Sequence, residues 1–158
     1  MNNRGIYIFD IDGTLANIEH RLHHLSNAEN PERWKTFYSD CLGDSPIQSV
    51  IAVMEALRKD HQILFFTGRT EAVRELTANW LHKHTTLGFA ELMPHTGTLT
   101  MRENGDYTPD HILKRMWLKS MLEVDRNRIA GVFDDRQAVV DMWRSNGLKC
   151  FQVEPGKF

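Results

Sequence analysis

Cysteine is scarce in this chain. Cys41 and Cys150 are the only two among 158 residues, far apart and in no CxxC pattern. That argues against a disulfide framework or a thiolate zinc site, and a reducing setting such as the cytosol is expected. No apolar run approaches the roughly 20 residues that cross a bilayer, so no membrane anchor is expected. Met1-Asn2-Asn3-Arg4-Gly5 lacks an apolar h-region, so export is not expected either. Charge of one sign is also missing: 19 Lys and Arg face 21 Asp and Glu, for a formal net charge of −2. Coating nucleic acid by bulk electrostatics would require a basic surface. There is no internal repeat, no low-complexity stretch and no HExxH-type spacing. What remains is ordinary globular material, 41% hydrophobic and 25% charged. A chain of this length buries roughly two thirds of its unfolded surface and folds without a staple.

Apolar runs alternate with helical patterns. Gly5 to Phe9 reads as a buried strand ending at Asp10, and His61 to Phe66 as another ending at Thr67-Gly68-Arg69. Arg128 to Phe133 is a third, ending at Asp134-Asp135, and Leu148 to Val153 a fourth. A further short strand is expected near Leu92, with a loop around residues 103–106. Helices are predicted over about 19–25, 31–40, from Ser45-Pro46 onward, 70–84, 109–123 and 137–146. Asn30 and Pro31 supply a helix start. The alternation predicts an α/β fold: a mostly parallel sheet with helices on both faces. Residues 1–158 form one domain in this reading, with a small helical insert at about 16–45.

Ligands of such sheets bind beyond the carboxyl ends of the strands. Asp10, Asp12, Thr67, Arg69, Asp134 and Asp135 fall there. Carboxylates gathered at one rim repel one another or must be protonated. A hard divalent cation resolves this, and oxygen ligands without cysteine favour magnesium, which usually shares a substrate phosphate. Arg69 and Lys114 would neutralise phosphate oxygens, and the Thr67 hydroxyl would donate to them. At a strand end turning on Gly13, Asp10 and Asp12 would both reach one phosphorus, one attacking and the other moving protons.

Phe9-Asp10-Ile11-Asp12-Gly13-Thr14-Leu15, Phe66-Thr67-Gly68-Arg69, a lysine and Phe133-Asp134-Asp135-Arg136 resemble, in order, the four motifs of the haloacid dehalogenase superfamily. Arg21, Gly105-Asp106, Asp110, Lys114 and the tail from Asp134 to Phe158 are similar to one subgroup, the 3′-phosphatase domain of phage polynucleotide kinase–phosphatase. No GxxxxGK[ST] loop occurs, so only the phosphatase half is represented. The resemblance implies an α/β/α Rossmann-like fold with a small cap. It implies Asp10 as nucleophile, forming an aspartyl-phosphate, and Asp12 as general acid and base. Magnesium would sit on the Asp10 carboxylate, the Asp12 carbonyl and Asp134 or Asp135. Thr67 and Lys114 would hold the phosphoryl group, with Arg21 and Arg69 as substrate clamps. Asp110 would orient Lys114 or Arg69 from one helical turn away.

The expected activity is a magnesium-dependent phosphomonoesterase acting on the 3′-phosphate of a nucleic-acid end. A nucleoside monophosphate phosphatase is the alternative, and a separate kinase or ligase a possible partner. Lys119 competes with Lys114 for the lysine role. His20, His23 and His24 read as surface residues near the mouth of the site. Trp80, Trp117 and Trp143 read as core, and so do Trp34 and Tyr38, unless that pair stacks on a base.

Overall fold

A computed structural model describes residues 4–157; Met1 to Asn3 and Phe158, the end of the tail pattern, lie outside them. The first half of the chain runs through β1 (Ile6–Phe9), β2 (Ala16–Asn17), a 3₁₀ stretch Glu19–Leu25, α1 (Arg33–Ser39), a 3₁₀ stretch Asp40–Gly43, β3 (Ser45–Pro46), α2 (Gln48–Arg58), β4 (Gln62–Thr70) and α3 (Arg74–His84). The second half adds β5 (Leu99–Arg102), α4 (Asp110–Ser120), a short α5 (Glu123–Arg126), β6 (Ile129–Asp134), α6 (Gln137–Ser145) and β7 (Cys150–Gln152). Five of the strands form one parallel sheet in the order β5-β4-β1-β6-β7. A separate antiparallel ribbon pairs β2 with β3.

Period-two alternation splits the apolar residues between the two faces of the sheet. Phe9, Ile63 and Phe65 pack on one face with Ile51 and Met54 of α2 and Trp80 and Leu81 of α3. Ile6, Ile8, Leu64, Phe66 and Val132 pack on the other with Leu118 of α4 and Val139, Val140 and Trp143 of α6. Two cores on one sheet make the three-layer α/β/α arrangement.

Two elements differ from expectation. Ser45-Pro46 does not open a helix: it pairs with Ala16-Asn17, and the helix begins at Gln48. The strand expected near Leu92 is a 3₁₀ turn, Phe89–Leu92, closed by the Glu91 side chain on the Gly88 N–H. The edge strand is Leu99–Arg102, where buried Leu99 and Met101 alternate with half-buried Thr100. A further 3₁₀ turn, Glu71–Val73, separates β4 from α3. Among the described residues, no helix is long and apolar enough to cross a membrane.

The chain leaves β1, builds outward through β4 and β5, then returns to the other side of β1 with β6. This reversal of strand order is where sheets of this kind open a crevice. Register then decides which residues meet. Phe9 lies level with both Phe65 and Phe133, so Asp10, Phe66 and Asp134 are the next residues on three neighbouring strands. The Asp10 N–H donates to the Phe133 carbonyl at 2.9 Å, tying the two acidic ends together.

Candidate active site

Asp10, Asp134 and Asp135 are buried, and one carboxylate oxygen from each lies within 4.8 Å of the others. Lys114, on α4, is 1% exposed and donates to Asp10 Oδ1 at 2.7 Å and Asp134 Oδ2 at 2.9 Å. Trp143 Nε1 also donates to Asp134 Oδ2, at 3.3 Å, so this core indole has a polar duty. Asp134 Oδ1 accepts the Asp135 N–H at 3.0 Å. Both oxygens of Asp134 are therefore engaged. By contrast, Asp135 Oδ1 is a buried acceptor without a partner among the described residues.

Burial raises the proton affinity of Asp10, and although Lys114 opposes this, Asp134 and Asp135 add to it. Burial and the Asp134 charge push Asp135 up to about 7. Burial works against the Lys114 charge, yet Asp10 and Asp134 keep that amine charged well above the ordinary lysine value. Lys114 bridges two of the three carboxylates and the Arg136 charge also acts on Asp135, yet the raised proton affinities of Asp10 and Asp135 mark a surplus of negative charge. That surplus, with an unpartnered inward oxygen, fits a hard divalent cation.

Gly13 makes the turn after Asp12 with φ +82°, and a Cβ there would overlap Asp135 Oδ2. Only glycine permits both the left-handed backbone and this approach. On the far side of the turn, Arg21 and Arg69 are fully buried and close on Asp12. Arg21 Nη2 donates to Asp12 Oδ1 at 2.6 Å; Arg69 donates to the same oxygen through Nε at 2.9 Å and Nη2 at 2.6 Å. Burial alone would raise the Asp12 proton affinity, but Arg69 and Arg21 outweigh it and hold the carboxyl below its ordinary range. Arg21 also lies 4.1 Å from the Phe37 ring centroid, a cation–π contact, and donates to the Phe37 carbonyl at 3.1 Å.

A buried residue that sequence reasoning missed completes this group. Asp44 Oδ1 accepts Arg21 Nε at 2.6 Å, and Asp44 Oδ2 accepts Arg21 Nη2 at 2.7 Å and Arg69 Nη2 at 2.8 Å. Both arginines thus face carboxylates of this chain. Asp110 adds its charge to those that keep the Lys114 amine protonated. It accepts Arg102 Nη2, and Arg136 Nη1 at 2.7 Å; among the described residues it makes no hydrogen bond to Lys114 or Arg69. Gly68 admits it, since a Cβ there would stand 2.8 Å from each of its oxygens. Arg102, a second residue not singled out, also holds the Gly68 and Thr108 carbonyls.

Thr67 is fully buried on β4, with its Oγ1 accepting the Arg69 N–H at 3.3 Å. His20 Nε2 lies 2.9 Å from Asp44 Oδ1, and His24 pairs with Asp40. Trp34 and Tyr38 stack on each other, with ring centroids 5.8 Å apart and planes at 27°. Burial, then the nearby Asp110 and Asp12 charges, pushes the Tyr38 hydroxyl well above its ordinary value. A cavity of about 300 Å³ opens beside Gly13 and Asp135, walled by Ile18, Ile47 and Pro155, with the Glu19–Lys157 ion pair in its lining.

Comparison with known proteins points one way. The family model for the polynucleotide kinase PNKP phosphatase domain matches residues 4–158. A protein of Autographa californica nuclear polyhedrosis virus, named as a bifunctional polynucleotide kinase/RNA ligase, is 28% identical over 137 residues, 85% of this chain and 17% of that protein. A chain in the Pnkp1/Rnl/Hen1 RNA repair complex superposes with a TM-score of 0.72 at 28% identity, covering 98% of this chain and 44% of that one. This chain therefore spans less than half the length of either. A haloacid dehalogenase-like hydrolase of Streptococcus pneumoniae shares the fold, with a TM-score of 0.59 at 13% identity over 96% of this chain and 85% of that one.

Proposed function

The chain belongs to the family of polynucleotide kinase PNKP phosphatase domains, within the haloacid dehalogenase fold, and from that premise we propose that it is a magnesium-dependent polynucleotide 3′-phosphatase. The observation that carries this reading is the buried group of Asp10, Asp134 and Asp135, two of them bridged by Lys114, with one Asp135 oxygen unpartnered among the described residues. We read residues 1–158 as one phosphatase domain, with the segment at about 16–45 as a small cap that leaves room for a polymer terminus.

The Asp10 carboxylate attacks phosphorus and displaces the 3′-oxygen, forming an aspartyl-phosphate. Asp12 passes a proton to the departing oxygen, then takes one from the water that opens the intermediate. Because Arg21 and Arg69 bind only Oδ1, Oδ2 remains for this proton traffic; among the described residues it accepts no hydrogen bond. Arg-paired Asp12 is ionised at rest, which suits the second step. In the first step the proton comes with the substrate, since a phosphomonoester exchanges its second proton near pH 6. Lys114 and Thr67 hold the phosphoryl oxygens. Asp10, the Asp12 carbonyl and chiefly Asp135 would hold magnesium, which neutralises phosphoryl charge when bound. Asp134, engaged by Lys114 and Trp143, orients both groups. The cavity beside Gly13 and Asp135 offers space for the leaving nucleoside.

The relatives named for kinase and ligase activities support a place in end repair. A 3′-hydroxyl made here is what a ligase needs, so a kinase or ligase would act on the same break. The test offers a 3′-phosphorylated oligonucleotide, its 5′-phosphorylated counterpart and free mononucleotides, each with and without magnesium. Magnesium-dependent release from the 3′ end is expected. Turnover of mononucleotides alone would replace this reading with that of a nucleotidase.

A further inference from the structure

The loop between β5 and α4 holds up an aromatic ring that the fold does not use. Tyr107 is 86% exposed and makes no ring contact or hydrogen bond through its side chain among the described residues. The backbone on either side of it is fixed. Buried Arg102 donates through Nη1 to the Asp106 carbonyl at 3.1 Å and to the Thr108 carbonyl at 2.6 Å. Asp106 Oδ1 accepts the Thr108 N–H at 2.8 Å, an Asx turn that brackets Tyr107. Gly105 turns the chain with φ +81°, and the Asp106 N–H donates to the Glu103 carbonyl at 3.2 Å. Asn104 Oδ1 accepts the Ala72 N–H at 2.8 Å, which ties the loop to the segment after β4.

This turn stands at the rim of the site. Arg102 Nε donates to the Gly68 carbonyl at 3.0 Å, inside the Thr67-Gly68-Arg69 strand end. Asp110 joins Arg102 to Arg136, and Arg136 follows directly on Asp135. From the cavity at Asp135, a row of side chains therefore leads through Arg136, Asp110 and Arg102 to the turn that carries Tyr107. The Arg136 side chain is 30% exposed, so a cation lies along that row. A strand whose 3′ end reaches Asp10 leaves the site across its rim, and every upstream nucleotide brings a base. Bases of any sequence stack on exposed aromatic rings, and cations follow the backbone phosphates. Trp34 and Tyr38 suit that task less well, since they stack on each other and Tyr38 is buried.

Resting on the polynucleotide 3′-phosphatase reading above, we propose that Tyr107 is a specificity-determining residue: it stacks on a base upstream of the 3′-terminal nucleotide and so selects a polymer end over a mononucleotide. A tyrosine has few torsions to freeze, and its backbone is already held, so little freedom is lost when the base arrives.

Binding is read first, by fluorescence anisotropy of a labelled single-stranded oligodeoxynucleotide with a 3′-hydroxyl end, so that turnover does not intervene. Tyr107→Ala should raise Kd about fivefold to a hundredfold, the range of one base–aromatic stack. Tyr107→Phe and Tyr107→Trp should stay within about threefold of the wild type, while Tyr107→Leu, apolar without a π-face, should follow the alanine variant. A strand made abasic at the stacked position should lose affinity for the wild type but lose no more for Tyr107→Ala, because the two changes remove one shared contact. An RNA strand should respond alike, since stacking reads the base and not the sugar. In turnover, Tyr107→Ala should raise KM for a 3′-phosphorylated oligonucleotide at constant kcat. For a nucleoside 3′-phosphate, which brings no upstream base, KM should move less than about twofold.

Wild-type affinity in Tyr107→Ala, equal losses in the Phe and Leu variants, or an equal rise in KM for the nucleoside 3′-phosphate would overturn the proposal. The two readings fail separately. A wild type that binds strands through Tyr107 yet releases no phosphate would defeat the phosphatase reading and uphold the stacking role. Magnesium-dependent release from 3′ ends that Tyr107→Ala leaves untouched in both KM and kcat would do the reverse.

Discussion

Replacing Asp135 by asparagine (Asp135→Asn) should make the cation-free protein more stable while ending its response to magnesium. In the folded state burial and Asp134 move this carboxyl from 3.8 to about 7. A displacement of that size corresponds to about 4 kcal/mol between the two protonation states. The sign follows from proton counting. Between about pH 4 and 7 the folded protein keeps a proton that the unfolded chain has released, so stability falls as pH rises through that window. Above about pH 7 the full cost is present. The asparagine carries no charge and removes most of that cost, less the penalty of a buried amide with an incomplete partner set. A net gain of about 2–4 kcal/mol is expected near pH 8 in EDTA. For a chain of this length that is a rise in Tm of roughly 5–15 °C. Near pH 4.5 the two proteins should melt together. Magnesium at about a hundred times its Kd should add about 2.7 kcal/mol to the wild type and almost nothing to the variant, narrowing or reversing the order. Differential scanning fluorimetry over pH, with EDTA or magnesium, reads all four conditions. A wild type in EDTA that melts at or above the variant near pH 8, or one indifferent to pH from about 5 to 8, would refute the electrostatic reasoning.

Three further outcomes are expected. Asp10→Asn should retain the far-ultraviolet circular dichroism of the wild type and lose turnover; residual activity above about one per cent would remove Asp10 as nucleophile. Asp12→Asn should slow single-turnover hydrolysis by roughly 10²–10⁴-fold, the usual worth of positioned proton transfer, and a loss below about tenfold would assign the proton to another group. In Gly13→Ala the φ of +82° costs roughly 1–2 kcal/mol. The new methyl also drives Asp135 Oδ2 from its place against the turn. Both a lowered Tm and at least a tenfold loss of kcat should follow, and a variant with wild-type kinetics would show that the Asp135 position is not critical.

Much of the fold was legible because its signals are local. The largely apolar runs Gly5 to Phe9 and His61 to Phe66 reveal buried strands by composition alone, and the helix patterns between them leave a parallel sheet as the simple way to bury both. Errors came where local signals compete. Ser45-Pro46 carries the marks of a helix start, yet a two-residue pairing with Ala16-Asn17 claims it. The edge strand Leu99–Arg102 lies in a stretch dense with turn residues, and its place follows from β4 beside it.

The same division runs through the site. Chain order alone determined that Asp10, Asp12, Thr67, Asp134 and Asp135 stand at carboxyl ends of strands, because each follows closely on an apolar run. What the charged groups face was decided only in three dimensions. Arg21 and Arg69 turn to Asp12 and Asp44, and Asp110 turns to Arg102 and Arg136. Nothing periodic marks Asp44, a lone acid before Ser-Pro. Its partners lie 23 and 25 residues away, and only burial, which forbids an uncompensated charge, forces them together.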